Sequence, residues 1–303
     1  MMDGMYTVQK PARSVFAPIR GLNYHLLEWG QPQPGVPTLF MVHGWMDVAD
    51  SFQFVVDAMK GQRHILAPDW RGYGQTQVVT DNFWFPDYMA DLDALLDQFA
   101  PSAQVDLLGH SMGGNVAMMY AGVRPERIRR LINLEGFGMS PTRASQAPKR
   151  YGQWLDQLKQ LKSGDISLRP YPSAQAVVER LQKTNPRLKD DQAQWLARRW
   201  AREDAHGQWV IQGHPAHKIV NANLYRVDEL QEVFARITAP TLCVLASDDS
   251  LTQWWKGTYT LEMFLERMKV VPQLRYARIE DSGHMLHHDQ PQALAELIEG
   301  FLA

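Results

Sequence analysis

Gly109-His-Ser111-Met-Gly113-Gly114 lies between an apolar run ending at Leu108 and a segment of helical spacing from about Gly113 to Val123. At a strand–turn–helix junction, a G-x-S-x-G pentapeptide lets the chain turn tightly enough to lift the serine hydroxyl above the sheet. The helix that follows points its N-terminus at the site, where it favours a developing anion. Ser111 is therefore the expected nucleophile. A serine hydroxyl reacts poorly at neutral pH without a positioned base. Ten histidines are available, so position along the chain must select among them. Ser282-Gly-His284 follows the expected strand Leu274–Ile279 and precedes the last helical segment, which makes His284 the expected base. His287 and His288 lie on the approach to Pro291 and read as helix-entry or surface residues. His43 and His110 read as packing or loop-shaping residues.

A histidine in this role needs a carboxylate to hold its tautomer and stabilise its charged form. Asp249, just past the run Thr241–Ala246, is the expected acid, and its neighbour Asp248 is the near alternative. Glu135, at the end of Arg130–Leu134, is a second possible source. Asp281 is too close in sequence to His284 and reads as a turn residue. His43-Gly44-Trp45-Met46-Asp47 directly follows the run Thr38–Val42. A His-Gly turn there would aim the Trp45 backbone N–H at a tetrahedral oxyanion, joined by the N–H of Met112. Losing one such donor typically raises the barrier by about 3–4 kcal/mol.

These residues need elements to hold them. From residue 36 onward short apolar runs alternate with helix-period segments. Thr38–Val42, Ile65–Ala67, Val105–Leu108 and Arg130–Leu134 read as buried strands. Asp50–Lys60, Pro86–Phe99 and Gly113–Val123 read as helices. Continuous apolar strands alternating with helices imply a parallel sheet covered on both faces, with ligands bound at the strand ends. Between about Gly138 and Arg226 the alternation stops. Helical patches at Gln153–Leu161, Ala174–Lys183 and Asp190–Arg202 appear among prolines, with no convincing strand. Alternation resumes with strand Thr241–Ala246, helix Tyr259–Met268, strand Leu274–Ile279 and helix Gln292–Leu302. The expected division is core over 1–137, a helical cap over 138–226, and core again over 227–303.

Composition narrows the function classes. The chain has 303 residues, 45% hydrophobic and 21% charged, with a formal net charge of −2. These values fit a globular protein large enough to bury a sizeable core and exclude disorder as its main state. No basic tract points to nucleic acid or an anionic membrane, and no apolar run approaches the roughly 18 residues of a spanning helix. The opening MMDGMYTVQKPARS lacks the apolar stretch of a secretory signal, so a cytoplasmic location is expected. Cys243 is the single cysteine and reads as a small buried residue. No Cys/His cluster has zinc spacing, and neither metal nor cofactor is expected.

Taken together, HGWMD at 43–47, PDWRGYGQT at 68–76, GHSMGG at 109–114, SDD at 247–249 and SGHMLHHDQP at 282–291 resemble the α/β-hydrolase superfamily, in its branch with a helical cap. The motifs stand in family order and span about two thirds of the chain. The resemblance implies an eight-stranded, mostly parallel sheet with a cap inserted after the sixth strand, and the order Ser111, Asp249, His284 for nucleophile, acid and base. It also implies that Asp69 and Arg71 stabilise their loop. Relatives that cleave haloalkanes or epoxides use an aspartate nucleophile, whereas position 111 is serine. Ala246-Ser247 stands where relatives often carry a glycine-containing turn.

The expected function is cleavage of a small or medium, largely apolar carboxylic ester through an acyl-enzyme on Ser111. Met46, Trp154, Trp209 and Trp254 are the candidate substrate-binding residues, with Trp195, Trp200 and Trp255 as further aromatic candidates. Arg198, Arg199 and Arg202 read as a solvated helix face. Two alternatives remain at this point: carbon–carbon cleavage of a β-diketone by the same triad, and a non-catalytic ligand-binding protein. A small-molecule partner is expected, without nucleic acid or membrane insertion.

Overall fold

In the computed structural model, which describes residues 5–303, an eight-stranded sheet forms the centre of the molecule. Its strands are β1 (Arg13–Ile19), β2 (Leu22–Trp29), β3 (Leu39–Val42), β4 (Ile65–Pro68), β5 (Val105–His110), β6 (Ile128–Leu134), β9 (Thr241–Ala246) and β10 (Leu274–Ile279). They lie in the order β1-β2-β4-β3-β5-β6-β9-β10. Only β2 opposes its neighbours, and every pair from β4 through β10 is parallel. The first two strands escape the sequence reading, which begins its alternation at residue 36. Exposed positions interrupt β1, so its apolar signal is broken.

Because side chains alternate along a strand, each central strand feeds two cores. Phe40, Val42, Leu107, Leu131 and Cys243 face one layer; Leu39, Met41, Leu108, Ile132, Leu134, Leu242 and Val244 face the other. The first layer is completed by α2 (Phe85–Phe99), α3 (Met112–Val123), α7 (Val227–Phe234) and α9 (Leu261–Met268). The second is completed by α1 (Gln53–Ala58) and α11 (Pro291–Leu302). A 3-10 turn at Ala49–Phe52 takes the first turn of the segment expected to be helical from Asp50.

Between β6 and β9 the chain leaves the sheet to form α4 (Ala147–Ser163), α5 (Ala174–Thr184) and α6 (Asp190–Trp200), then a short hairpin of β7 (Ala201–Glu203) and β8 (Trp209–Ile211). Ser173 caps α5 by accepting from the Ala176 N–H, and Gly164 ends α4 at φ +86°. The insert shares a cluster with the main body, in which Val177, Val178, Leu196, Trp195 and Trp200 are buried with Val48 and Phe54. The hairpin is a departure from the reading of Asp190–Arg202 as one helix. β7 begins at Ala201, where the backbone is already extended. Two indole N–H groups tie the insert to the loop after β3: Trp200 to the Met46 carbonyl (2.6 Å) and Trp45 to the His217 carbonyl (3.1 Å). Among the described residues no helix is long and apolar enough to cross a membrane.

Candidate active site

Ser111 stands between β5 and α3 with φ +53° and ψ −116°, a conformation that costs a non-glycine residue on the order of 1–3 kcal/mol. Its neighbours hold it there. The Ser111 N–H donates to the Leu134 carbonyl at 2.8 Å. A Cβ on Gly109 would come within 2.3 Å of the Gly113 carbonyl oxygen, so the turn closes only with glycine. Opposite the hydroxyl, His284 Nε2 lies 2.9 Å from Ser111 Oγ.

The carboxylate that faces the other nitrogen of His284 is Glu135, with Oε2 3.4 Å from Nδ1. This corrects the expectation placed on Asp249. The Asp249 carboxylate is exposed and accepts from both the N–H (2.9 Å) and the hydroxyl (2.6 Å) of Thr252, capping α8 (Ser250–Trp255). Asp248 pairs with Arg187 of the insert at 2.7 Å. Asp281 also binds Arg187, on a turn with φ +50°. Glu135 is 2% exposed. Its Oε1 accepts from the Ala246 N–H (2.7 Å) and its Oε2 from the Ser250 hydroxyl (2.9 Å), so the end of β9 holds a side chain carried by β6. Burial pushes the Glu135 carboxyl up to about 7, against those two hydrogen bonds, which favour its ionised form. Burial also pulls His284 well below the usual imidazole range, leaving a neutral ring that can accept a proton.

His110 holds the base from behind. Its Nε2 donates to the His284 backbone carbonyl at 2.8 Å. His43 pins the turn after β3: Nδ1 donates to the Gly44 carbonyl (2.8 Å) while Nε2 accepts from the Trp70 N–H (3.0 Å). The turn passes close to the nucleophile, since a Cβ on Gly44 would meet Ser111 Cβ at 3.1 Å. Met112 opens α3, where the first N–H groups of a helix lack an intrahelical acceptor. Asp69 secures the same region by accepting from the N–H groups of Ala49 and Gln75 and bonding His25 Nδ1, and Arg71 pairs with Asp91.

The aromatic candidates separate. Trp254 packs edge-on against His284, ring centroids 4.3 Å apart, yet remains 48% exposed. Trp45 is 53% exposed beside the nucleophile turn. Met46 sits on the turn after β3 at φ +55°. Trp154 instead packs at a tilt against Trp84 and donates to Asn82, and Trp209 lies in β8 under Arg198. These contacts engage both at the edges of the insert. Trp195 and Trp200 are buried in the cluster that the insert shares with the main body, and Arg199 lies 3.8 Å from Asp50. His287 and His288 are buried just before α11, which corrects the surface alternative in their reading as helix-entry or surface residues. The short helix α10 (Leu286–Asp289) turns both inward, and Ser51 Oγ lies 3.2 Å and 2.6 Å from their Nε2 atoms. Ser250 was not singled out from the sequence, since a serine after a strand carries no signal of a partner on another strand.

A family model described as the alpha/beta hydrolase fold matches residues 37–291. Among curated proteins, a serine hydrolase-like protein of Danio rerio is 27% identical over 280 residues, 90% of this chain and 83% of the relative. A serine hydrolase-like protein of Dictyostelium discoideum is 23% identical, covering 93% of this chain and 79% of that one. In fold, a thioesterase domain from the curacin biosynthetic pathway superposes with a TM-score of 0.81 at 22% identity, over 95% of this chain and 99% of that one. An esterase of Mycobacterium tuberculosis gives 0.71 at 21% identity, over 99% of this chain and 93% of that one.

Proposed function

The chain belongs to the α/β-hydrolase fold family, and from that premise we propose a serine hydrolase that cleaves small or medium, largely apolar carboxylic esters with Ser111, His284 and Glu135. The observation that carries this reading is the 2.9 Å approach of Ser111 Oγ to His284 Nε2. Ser111 Oγ attacks the ester carbonyl as its proton passes to Nε2. The imidazolium that forms is held through Nδ1–H by Glu135. The backbone N–H groups of Trp45 and Met112 receive the oxyanion. The alcohol leaves with the proton from His284, and a water deprotonated by the same nitrogen releases the acid and restores Ser111. The 3.4 Å separation at Glu135 is long for a hydrogen bond, as resting sites often are before substrate tightens them.

Trp45 and Trp254 supply apolar surface at the mouth of the site, which supports an apolar acyl or alcohol group over a charged one. The nearby cations of the insert are already engaged: Arg187 by Asp248 and Asp281, Arg199 by Asp50. The test is initial rates on chromogenic esters and thioesters of graded acyl length, wild type beside Ser111→Ala. Turnover with a length optimum, lost by at least about 10⁴-fold in the variant, is expected. Equal rates for both across the panel would overturn the reading.

A further inference from the structure

Next to His284 lies a second polar cluster that ester cleavage does not use. It joins Asp47 from the loop after β3, His110 at the end of β5 and His287 from α10. All three side chains are buried, and one donor atom from each falls within 4.8 Å of the other two. Asp47 Oδ2, His110 Nδ1 and His287 Nδ1 find no hydrogen-bond partner among the described residues. The tautomer of His110 is dictated by its neighbour. Its Nε2 meets a backbone carbonyl, which can only accept, so Nε2 carries the proton and Nδ1 is a bare lone pair. Asp47 Oδ2 also lies 3.9 Å from His287 Nε2, so a carboxylate oxygen, an imidazole lone pair and a second imidazole share one buried space, an arrangement that suits a cation.

We propose that Asp47, His110 and His287 hold one divalent transition cation of the zinc class beside His284, and that its occupancy inhibits hydrolysis. Two imidazoles and one carboxylate suit Zn²⁺, Co²⁺ or Ni²⁺; Ca²⁺ and Mg²⁺ prefer sites made of oxygen. Tetrahedral donors at about 2.0–2.1 Å stand roughly 3.3–3.5 Å apart, so modest ring and carboxylate rotations would close the set. The inhibition follows from charge. The His110 ring centroid is 4.8 Å from that of His284, and a dication on the far nitrogen opposes the imidazolium that catalysis requires. The inhibitory half rests on the serine-hydrolase reading; the binding half does not.

The test uses the full chain, stripped with a chelator and titrated with Co²⁺ and Zn²⁺. Expected results are the visible ligand-field bands of low-coordinate Co²⁺, a single Zn²⁺ equivalent by calorimetry, and affinity weakened about tenfold or more in Asp47→Asn and His287→Gln. Circular dichroism and melting confirm that the variants fold, and the wild-type Co²⁺ spectrum decides even if they do not. His206→Ala, at an exposed histidine, serves as the control and retains full affinity. Featureless Co²⁺ spectra, or equal affinity in wild type and folded variants, would overturn the site. Binding without any loss of ester turnover would overturn the inhibition. Metal bands in a protein that cleaves no ester would leave the site standing and count against the hydrolase reading.

Discussion

The loops after β6 and β9 begin alike and end differently. The two strands are parallel neighbours, paired from Leu131 with Thr241 to Leu134 with Val244, and each is followed by carboxylates. Glu135 comes immediately after its strand, and its N–H still donates to the Val244 carbonyl. Its φ of +53° turns the side chain across the end of β9, into a space closed by Ala246 and Ser250. Asp248 and Asp249 come later, after the chain has left the sheet. One reaches Arg187 on the insert and the other caps α8. Distance from the strand end decides whether a carboxylate is buried and held beside His284 or solvated and structural.

The sharpest way to break this comparison is a pair of isosteric amides. Glu135→Gln is expected to lower kcat/KM by about 10²–10⁴-fold, because the imidazolium loses its counter-charge. Asp249→Asn should stay within about twofold. Equal losses, or the reverse order, would return the acid to the β9 loop. The pH profile sharpens the same point. Glu135 supports the imidazolium only when ionised, and burial pushes its carboxyl up to about 7. Wild-type kcat/KM should therefore rise with pH through about 7 and fall below it, and that inflection should vanish in Glu135→Gln.

Smaller effects probe the β9 side. Asp249→Ala removes the cap of α8 and should cost about 0.5–2 kcal/mol of stability, read by denaturant unfolding, with ester turnover retained. Arg187→Ala severs the half-exposed links to Asp248 and Asp281. Exposed pairs contribute about 0.2–1 kcal/mol, so a small drop in the melting midpoint is expected, less at high salt. A drop larger than that of Asp249→Ala would mean that the clasp between insert and core matters more than the helix cap.

Local pattern carried much of this architecture. Apolar runs marked β3, β4, β5, β6 and β9, because strands buried on both faces are largely hydrophobic, while the edge strand β10 shows only interrupted apolar positions. The break after Gly138 marked the insert. The glycine spacing around Ser111 marked a turn that only small residues allow, and His284 stood where a loop leaves the last strand. Each signal lies within a few residues of the feature it marks. β1 and β2 were not legible, because exposed positions interrupt β1 and β2 follows only Arg20-Gly21 as a turn.

By itself, then, the sequence determined which serine and which histidine stand at the ends of β5 and β10, since both follow from strand–turn–helix grammar. Only the tertiary structure separates the carboxylates, because Glu135 and Asp249 both follow strand ends in the sequence, and what distinguishes them is the burial of Glu135 against a neighbouring strand beside His284. It alone also turned His287 inward toward Asp47 and His110. These three residues come from distant parts of the chain: β3 and β5 lie side by side, and the chain after β10 returns past the strand ends to bring His287 to them.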